Sequence, residues 1–327
     1  MSRDYLQPRL LALVSAVLAQ GSAFCAPPST DSFAVTTELT HSDNGGLSAT
    51  HKQPVQTLRV LPSWSRRWLS GRDDMSIKLS ATLERSTNTD LRMNRTDPAA
   101  QWRWQRSAEK SDMGVQLDYR DDSARAAALD ESGQRVSDDT RTTKGASGSY
   151  SYQLSERQIA GFTVSHQQVS FDKRTQANYT NTAAGATLQH RFSEFTDLTW
   201  GLDGSAYAPE RTPAAPLATK SQSYGTSLTL RRQLSEQLDA SAQLGLLRIQ
   251  RQGQDNIGTW QGSISLTHTG QHLTTRFNLN RSSVVDNSTG GYSVNDSARI
   301  QADYPLSDTS SIGAQFSWQR TDSLVDS

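Results

Sequence analysis

The chain has 327 residues, of which 34% are hydrophobic, and its 33 basic side chains balance 33 acidic ones to a formal net charge of +0. Balanced charge argues against nucleic acid as a partner, and no run of about 20 apolar residues supports a transmembrane helix. With one cysteine, Cys25, a disulfide scaffold is excluded as well. A chain this polar is either disordered or places its apolar residues in an alternating pattern that the average composition does not show.

The first segment has the layout of a secretory signal peptide. Two arginines lie within the first nine residues, an apolar run extends over Leu10–Ala19, and small residues follow. Cleavage after Ala23 and cleavage after Cys25 both fit this layout. Acylation of Cys25 in a lipoprotein is a further alternative, which the bulky Phe24 before it disfavours. We assign residues 1–25 to the signal peptide and residues 26–327 to the mature domain.

The next part of the chain is irregular but contains five candidate strands. They are Phe33–His41, Val55–Pro62, Met75–Arg85, Ala100–Arg106 and Met113–Arg120. The last strand places Val115, Leu117 and Tyr119 on one face. The stretch Ser63–Asp74 is too long for a short turn, and the sequence gives no structure for it.

From about residue 150 a weak repeat marks tight polar turns. Its segments are Tyr152–Glu156, His190–Glu194, Arg232–Glu236 and Tyr304–Asp308. Their serines are 38, 42 and 72 residues apart, and the last interval is two periods with Thr269–Gln271 as the intermediate turn. Each period holds two strands, one short turn and one long loop.

The strands between these turns alternate clearly, although Arg232 interrupts one apolar face next to a turn. Leu228 and Leu230 share an apolar face, for example, whereas Thr229 and Arg231 share a polar face. A period of two residues is the period of a β-strand. Fifteen strands are counted in this way, and long polar loops such as Asp121–Lys144 alternate with the short turns.

Two all-β architectures fit this alternation. A secreted β-sandwich or solenoid is one. A transmembrane barrel is the other, and it is favoured because strands of about 9 to 11 residues match a membrane, because short turns alternate with long loops, and because a signal peptide precedes them. A closed barrel also satisfies every backbone hydrogen bond within lipid.

The signal peptide, the Leu-Ser-Glu turns and this rhythm of turns and loops resemble the bacterial outer-membrane β-barrels over about residues 31–327. A looser resemblance, to the porin-like barrels associated with exopolysaccharide loci, rests on Phe33–Ser42, Asn44–Gly46, Val55–Pro62 and the Leu-Ser-Glu hairpins. The resemblance implies an all-β, transmembrane, antiparallel up-and-down barrel of about 16 strands in the bacterial outer membrane. It also implies outer-membrane lipid and the barrel assembly machinery as partners.

The polar faces would then line a hydrated lumen. The residues expected there are Gln153, Gln189, Arg191, Asp203, Arg231, Gln243, Arg276, Asn278, Asn280, Arg299, Gln301 and Asp303. Their amides, hydroxyl neighbours and mixed charges suit small polar solutes or a neutral or weakly charged polysaccharide, and a generic wet interior is the alternative. Their balanced charge predicts little ion preference.

Aromatic residues near the strand ends are expected to form the two membrane-interface girdles. These residues are Tyr152, Phe192, Tyr207, Trp260, Tyr304 and Trp318. Stacking on sugars is the alternative role for them.

No catalytic motif, cofactor motif or metal site is found. His268 and His272 flank one turn but lack a third ligand, and a lipase would need a serine beside a histidine such as His166 near the outer rim. The sequence therefore predicts a non-enzymatic outer-membrane pore for polar solutes or exopolysaccharide. The alternative is a structural or adhesive barrel with a plugged lumen and partner-binding loops.

The predicted number of strands is odd, which does not fit a closed barrel. A closed antiparallel barrel of bacterial type needs an even number of strands, whereas fifteen are visible. The chain ends in Leu324–Ser327 without the usual terminal aromatic residue. Either one returning strand is absent from this sequence, or the count is wrong between Ser63 and Asp112.

Overall fold

The structure is a computed structural model that describes residues 29–42, 54–89, 94–125, 139–173, 177–210, 219–253, 255–270, 272–286, 291–307 and 310–323. The signal peptide expected at residues 1–25 lies outside these ranges. Nearly all described residues are in β-strands, so the predicted all-β class is confirmed. No helix in the described ranges is long and apolar enough to cross a bilayer.

Fifteen strands follow one another in the described ranges, as the sequence predicts. They are β1 Ser29–Ser42, β2 Val55–Ser70, β3 Asp73–Ser86, β4 Arg95–Ser107, β5 Ser111–Ser123, β6 Thr140–Ser155, β7 Gln158–Phe171, β8 Tyr179–Ser193, β9 Thr196–Pro209, β10 Ser221–Ser235, β11 Leu238–Arg251, β12 Ile257–Thr269, β13 Thr274–Asp286, β14 Gly291–Ser307 and β15 Ser310–Ser323.

These strands form a single sheet in which every strand pairs antiparallel with its neighbours in the sequence. This is the up-and-down topology of a meander, and the predicted topology is confirmed. In the described residues β1 and β15 are the two ends of the strand order. Because both run in the same direction, they cannot pair antiparallel, and a returning strand between them stays a prediction.

The second strand is longer than the sequence pattern indicates. β2 continues through Ser63 to Ser70, and β3 starts at Asp73 after a two-residue turn. Gly71 has a φ of 58° in that turn, a conformation that glycine adopts without steric cost and that tight hairpins require. The stretch Ser63–Asp74 is therefore mostly strand, with outward-facing Trp64 and Trp68 continuing the apolar alternation.

The Leu-Ser-Glu repeat has a structural cause. Ser155, Ser193 and Ser235 each accept a hydrogen bond of 3.3 Å, through their hydroxyl oxygen, from the backbone N–H two residues later. This side-chain bond mimics a backbone turn. A register irregularity precedes each of these serines. The repeat thus encodes the same bulged two-residue turn at three hairpins.

The strands are tilted, as the outer limit of the apolar face shows. On β5 the outward apolar residues end at Tyr119 and Asp121 follows, whereas on β15 they end at Trp318 and Arg320 follows. When the pairing register is followed from β5 to β15, the last apolar outward residue shifts toward the short turns by about ten residues over ten strand-to-strand steps. With a rise of ~3.3 Å and a strand spacing of ~4.8 Å, the tilt is about 35°, the value typical of transmembrane barrels.

Charged side chains begin at this limit. Arg281, the first outward residue beyond Leu279, pairs with Asp296 at 2.9 Å and lies 4.5 Å from the ring centroid of Trp260. An ion pair stacked on an indole suits the polar interface of a membrane better than its hydrocarbon centre. The outer edge of the apolar band therefore lies near Leu279 on β13.

Candidate functional site

Contacts between strands that are not neighbours identify the concave face of the sheet. The hydroxyl groups of Ser221 on β10 and Tyr292 on β14 are hydrogen-bonded at 3.0 Å. Leu247 and Ile249 on β11 pack in one buried cluster with Tyr292. Only a concave surface brings side chains of such distant strands together. Ser221, Leu247 and Ile249 thus mark the inside of the curved sheet. Tyr292 contacts them from the long-loop end of β14, although it has the even numbering of the exposed Ile300 and Tyr304.

The opposite face carries large apolar side chains that no part of the described chain covers. Leu228 is 48% exposed, Leu244 is 63% exposed and Phe316 is 64% exposed. Such side chains alternate with the inward ones along each strand. A contiguous exposed apolar surface of this kind marks a membrane or protein contact.

The twelve residues predicted to line the lumen share the concave face. Strand pairing connects ten of them to one another directly or through one or two intermediate residues, as in the row Arg231, Ser241, Ser265, Asn278 and Arg299. All twelve are partly or fully exposed. Solvent therefore reaches each of them.

Some of the charged residues among the twelve are paired with one another or with neighbours. Arg191 lies 3.5 Å from Asp197, and Arg276 donates to Asp303 at 3.1 Å. The Gln301 amide also donates to Asp303, at 2.9 Å. Exposed pairs of this kind stabilise the fold little. Their effect is to leave this part of the concave face close to neutral.

The ends of the strands near the long loops are packed instead of hydrated. Ala124, Val169, Phe171, Tyr179 and Tyr207 form a cluster in which each residue is at most 8% exposed. In the described part of the chain, every buried apolar or polar side chain lies toward these ends. The concave face is therefore open to solvent toward the short turns and filled toward the long loops.

Buried charges reinforce this packed region. Arg95 pairs with Asp97 at 2.8 Å and donates to the backbone carbonyl of Asp139 at 3.0 Å. Arg141 binds both carboxylate oxygens of Asp122, at 2.9 and 3.1 Å. Paired in this way, the arginines escape the large cost of burying a lone charge. Together they join β4, β5 and β6 at the long-loop end.

The expectation for Tyr207 is wrong. Tyr207 is 3% exposed, and its ring lies 5.2 Å from that of Tyr179 on the concave face. It cannot belong to a membrane girdle, because its odd position on β9 points inward. The other five aromatic residues lie on the outer face and are 40–56% exposed: Tyr152, Phe192, Trp260, Tyr304 and Trp318. Their role as girdles stays a prediction.

Several concave residues on β2 to β4 were missed in the sequence. Arg67, Asp74, Ser76, Arg103 and Gln105 surround a cavity of about 280 Å³. They were missed because β2 was expected to end at Pro62, and this placed Arg67 in an unassigned stretch. The alternation of Trp64 and Trp68 with Ser65 and Arg67 is the signal that identifies this wall.

No family model and no curated protein matches this sequence. Solved structures do show the same fold. The apoprotein form of the FrpB iron transporter of Neisseria meningitidis has a TM-score of 0.54 and 13% identity, over 88% of this chain and 56% of that one. The copper transporter OprC has a TM-score of 0.53 and 13% identity, over 89% of this chain and 56% of that one.

The siderophore receptor PirA of Pseudomonas aeruginosa is similar too, with a TM-score of 0.52 and 8% identity over 92% of this chain and 57% of that one. The chain thus spans a little over half the length of these structures. Identities this low concern the fold. The fold that the chain shares with them is that of the bacterial outer-membrane β-barrels.

Proposed function

We propose that the chain provides a hydrated route for polar solutes across the outer membrane, with small solutes or exopolysaccharide chains as cargo. The observation that supports this best is the polar, solvent-reached concave face, whose twelve predicted residues are all accessible. In outer-membrane barrels the short turns face the periplasm and the long loops face outward. The hydrated part of the lumen is then entered from the periplasm.

Passage in this proposal is controlled at the outer end. The cluster around Tyr207 and the cluster around Ile249 narrow the lumen there. Transport requires no chemical step in this proposal, so the protein acts without catalysis. Its proposed partners are the membrane lipid, the assembly machinery that inserts barrels, and the solute.

Conductance across planar bilayers tests the proposal. The double variant Tyr207→Ala, Ile249→Ala removes two large inward side chains and should raise the single-channel current several-fold. Trp260→Ala removes a large side chain from the outer face and is the matched control, with an unchanged current. A flat baseline for the inserted wild type and for the double variant would contradict the proposed route.

That same packed region favours a second candidate function. A barrel whose lumen is plugged serves as a structural or adhesive protein, with loops that bind partners. The buried side chains at the long-loop end, with Val169 and Ile249 both 0% exposed, are the observation in its favour. Persistent absence of current, together with binding of the intact barrel to surfaces, would support this candidate over the first.

A further inference from the structure

Two rows of polar residues cross the concave face in the half of the lumen that solvent reaches, one from β2 to β7 and one from β3 to β7. The first row consists of directly paired residues on six consecutive strands: Arg67, Ser76, Arg103, Gln116, Ser147 and Ser165. At a strand spacing of ~4.8 Å the row is about 24 Å long. We call the surface formed by this row and the next one the inner groove.

The second row of the inner groove lies one pair closer to the short turns on β4. Its residues are Asp74, Gln105, Gly114, Ser149 and Thr163. A Cβ atom at Gly114 would lie 2.9 Å from the Ser149 hydroxyl oxygen, so glycine keeps the floor low at this point. A second cavity, of about 210 Å³, runs over β4 to β7 and shares Arg103 and Gln105 with the first. The two cavities are therefore adjacent.

The two ends of the inner groove differ in charge. At the β2–β4 end, Arg67 donates to Asp74 from Nε at 2.8 Å and from Nη2. Arg103 forms no hydrogen bond or ion pair with any described residue, although it is close enough to Asp74 to interact electrostatically. Two guanidinium groups against one carboxylate give this end an excess positive charge. The β5–β7 residues of the two rows are uncharged and rich in hydroxyl groups, and Asp112 and Asp118 are the inward carboxylates that border them on β5.

This combination fits one class of ligand. A guanidinium group binds a carboxylate through two parallel N–H donors. Serine and threonine hydroxyls both donate and accept, as sugar hydroxyls do, and the glutamine amides offer both functions too. Apart from Leu69, which pairs with Asp74 at the β2 edge of the second row, the residues of both rows are polar or glycine, so an apolar ligand gains little from the floor. A long groove also needs an extended ligand.

We propose that the inner groove binds an acidic oligosaccharide, a chain of sugars that bear carboxylate groups, with Arg103 as its carboxylate-binding residue. This inference deepens the proposed function and rests on it, because the groove is reached through the hydrated lumen. An acidic peptide has the charge but lacks the hydroxyl groups that the β5–β7 end would bind.

Calorimetric titration of the full chain, folded in detergent at low salt, tests the inference with octagalacturonate as the probe. Arg103→Gln should weaken its binding about tenfold, the effect of losing one charge-assisted hydrogen bond. Arg248→Gln removes an exposed arginine from the outer face and is the matched control, with unchanged affinity. Malto-octaose, which is neutral, and octaglutamate, which lacks sugar rings, should both bind at least about tenfold more weakly than octagalacturonate.

Equal affinity of wild type and Arg103→Gln would overturn the inference. Equal binding of malto-octaose would remove the acidic requirement, and equal binding of octaglutamate would remove the sugar requirement, so either result contradicts it. The conductance experiment is independent of these outcomes. A conducting double variant without selective octagalacturonate binding refutes the inner groove alone, whereas selective binding without conductance refutes the proposed route.

Discussion

Replacing Leu228 with arginine tests which face of the sheet contacts lipid. Leu228 lies on the outer face of β10, four residues from Tyr224 and six from Leu234. Four residues correspond to about 13 Å along the strand, and at a tilt of about 35° to about 11 Å along the membrane normal. Since the apolar band of such barrels is about 25 Å tall, Leu228 lies close to its middle. An arginine there should cost about 2–4 kcal/mol of folding free energy.

The measurement is urea-induced unfolding of the chain from phospholipid vesicles, followed by tryptophan fluorescence. Thr229→Arg is the matched control, because its side chain is the next along the strand and points into the lumen. We expect the control to lose less than about 1 kcal/mol. Since a shift of one residue exchanges the two faces of a strand, a large loss for Thr229→Arg and a small one for Leu228→Arg would refute the assignment of faces.

Three further predictions follow from the fold. The mature chain should fractionate with outer membranes and show heat-modifiable migration on gels, and recovery as a soluble periplasmic protein would contradict this. Cysteines at Gln153, Gln189, Arg231 and Asn278 should react with a water-soluble thiol reagent, whereas cysteines at Leu188, Leu230 and Phe277 should be shielded by lipid; the reverse labelling pattern would exchange the faces. Asp139, which is 0% exposed, accepts hydrogen bonds from the backbone N–H groups of Thr140 and Lys173. Asp139→Ala should therefore destabilise the barrel by about 1–3 kcal/mol in the same unfolding assay, and Glu156→Ala in an exposed turn should not; equal effects would show that these bonds add no stability.

Much of the architecture could be predicted from local patterns. Period-two alternation identified the outer face of β10 and β11 because neighbouring side chains of a strand point to opposite faces, whatever the rest of the chain does. The serines of the Leu-Ser-Glu turns act over two residues, so their signal is local as well. Where local chemistry was mixed, prediction failed. Arg66 and Arg67 interrupt the apolar pattern of β2, and the strand was therefore expected to end too early.

The sequence by itself determined the strands, their order, the turns and the division of each strand into a polar and an apolar face. Tertiary structure alone decided which inward residues are wet and which are packed. Tyr207 and Arg231 both point inward on neighbouring strands, but Tyr207, at the long-loop end, is buried against Tyr179, and Arg231, near the short turn, is exposed. Burial inside a curved sheet depends on contacts between strands that are distant in the sequence. The contact between Ser221 and Tyr292 is one of these, and in the described residues such contacts bury side chains at the long-loop end.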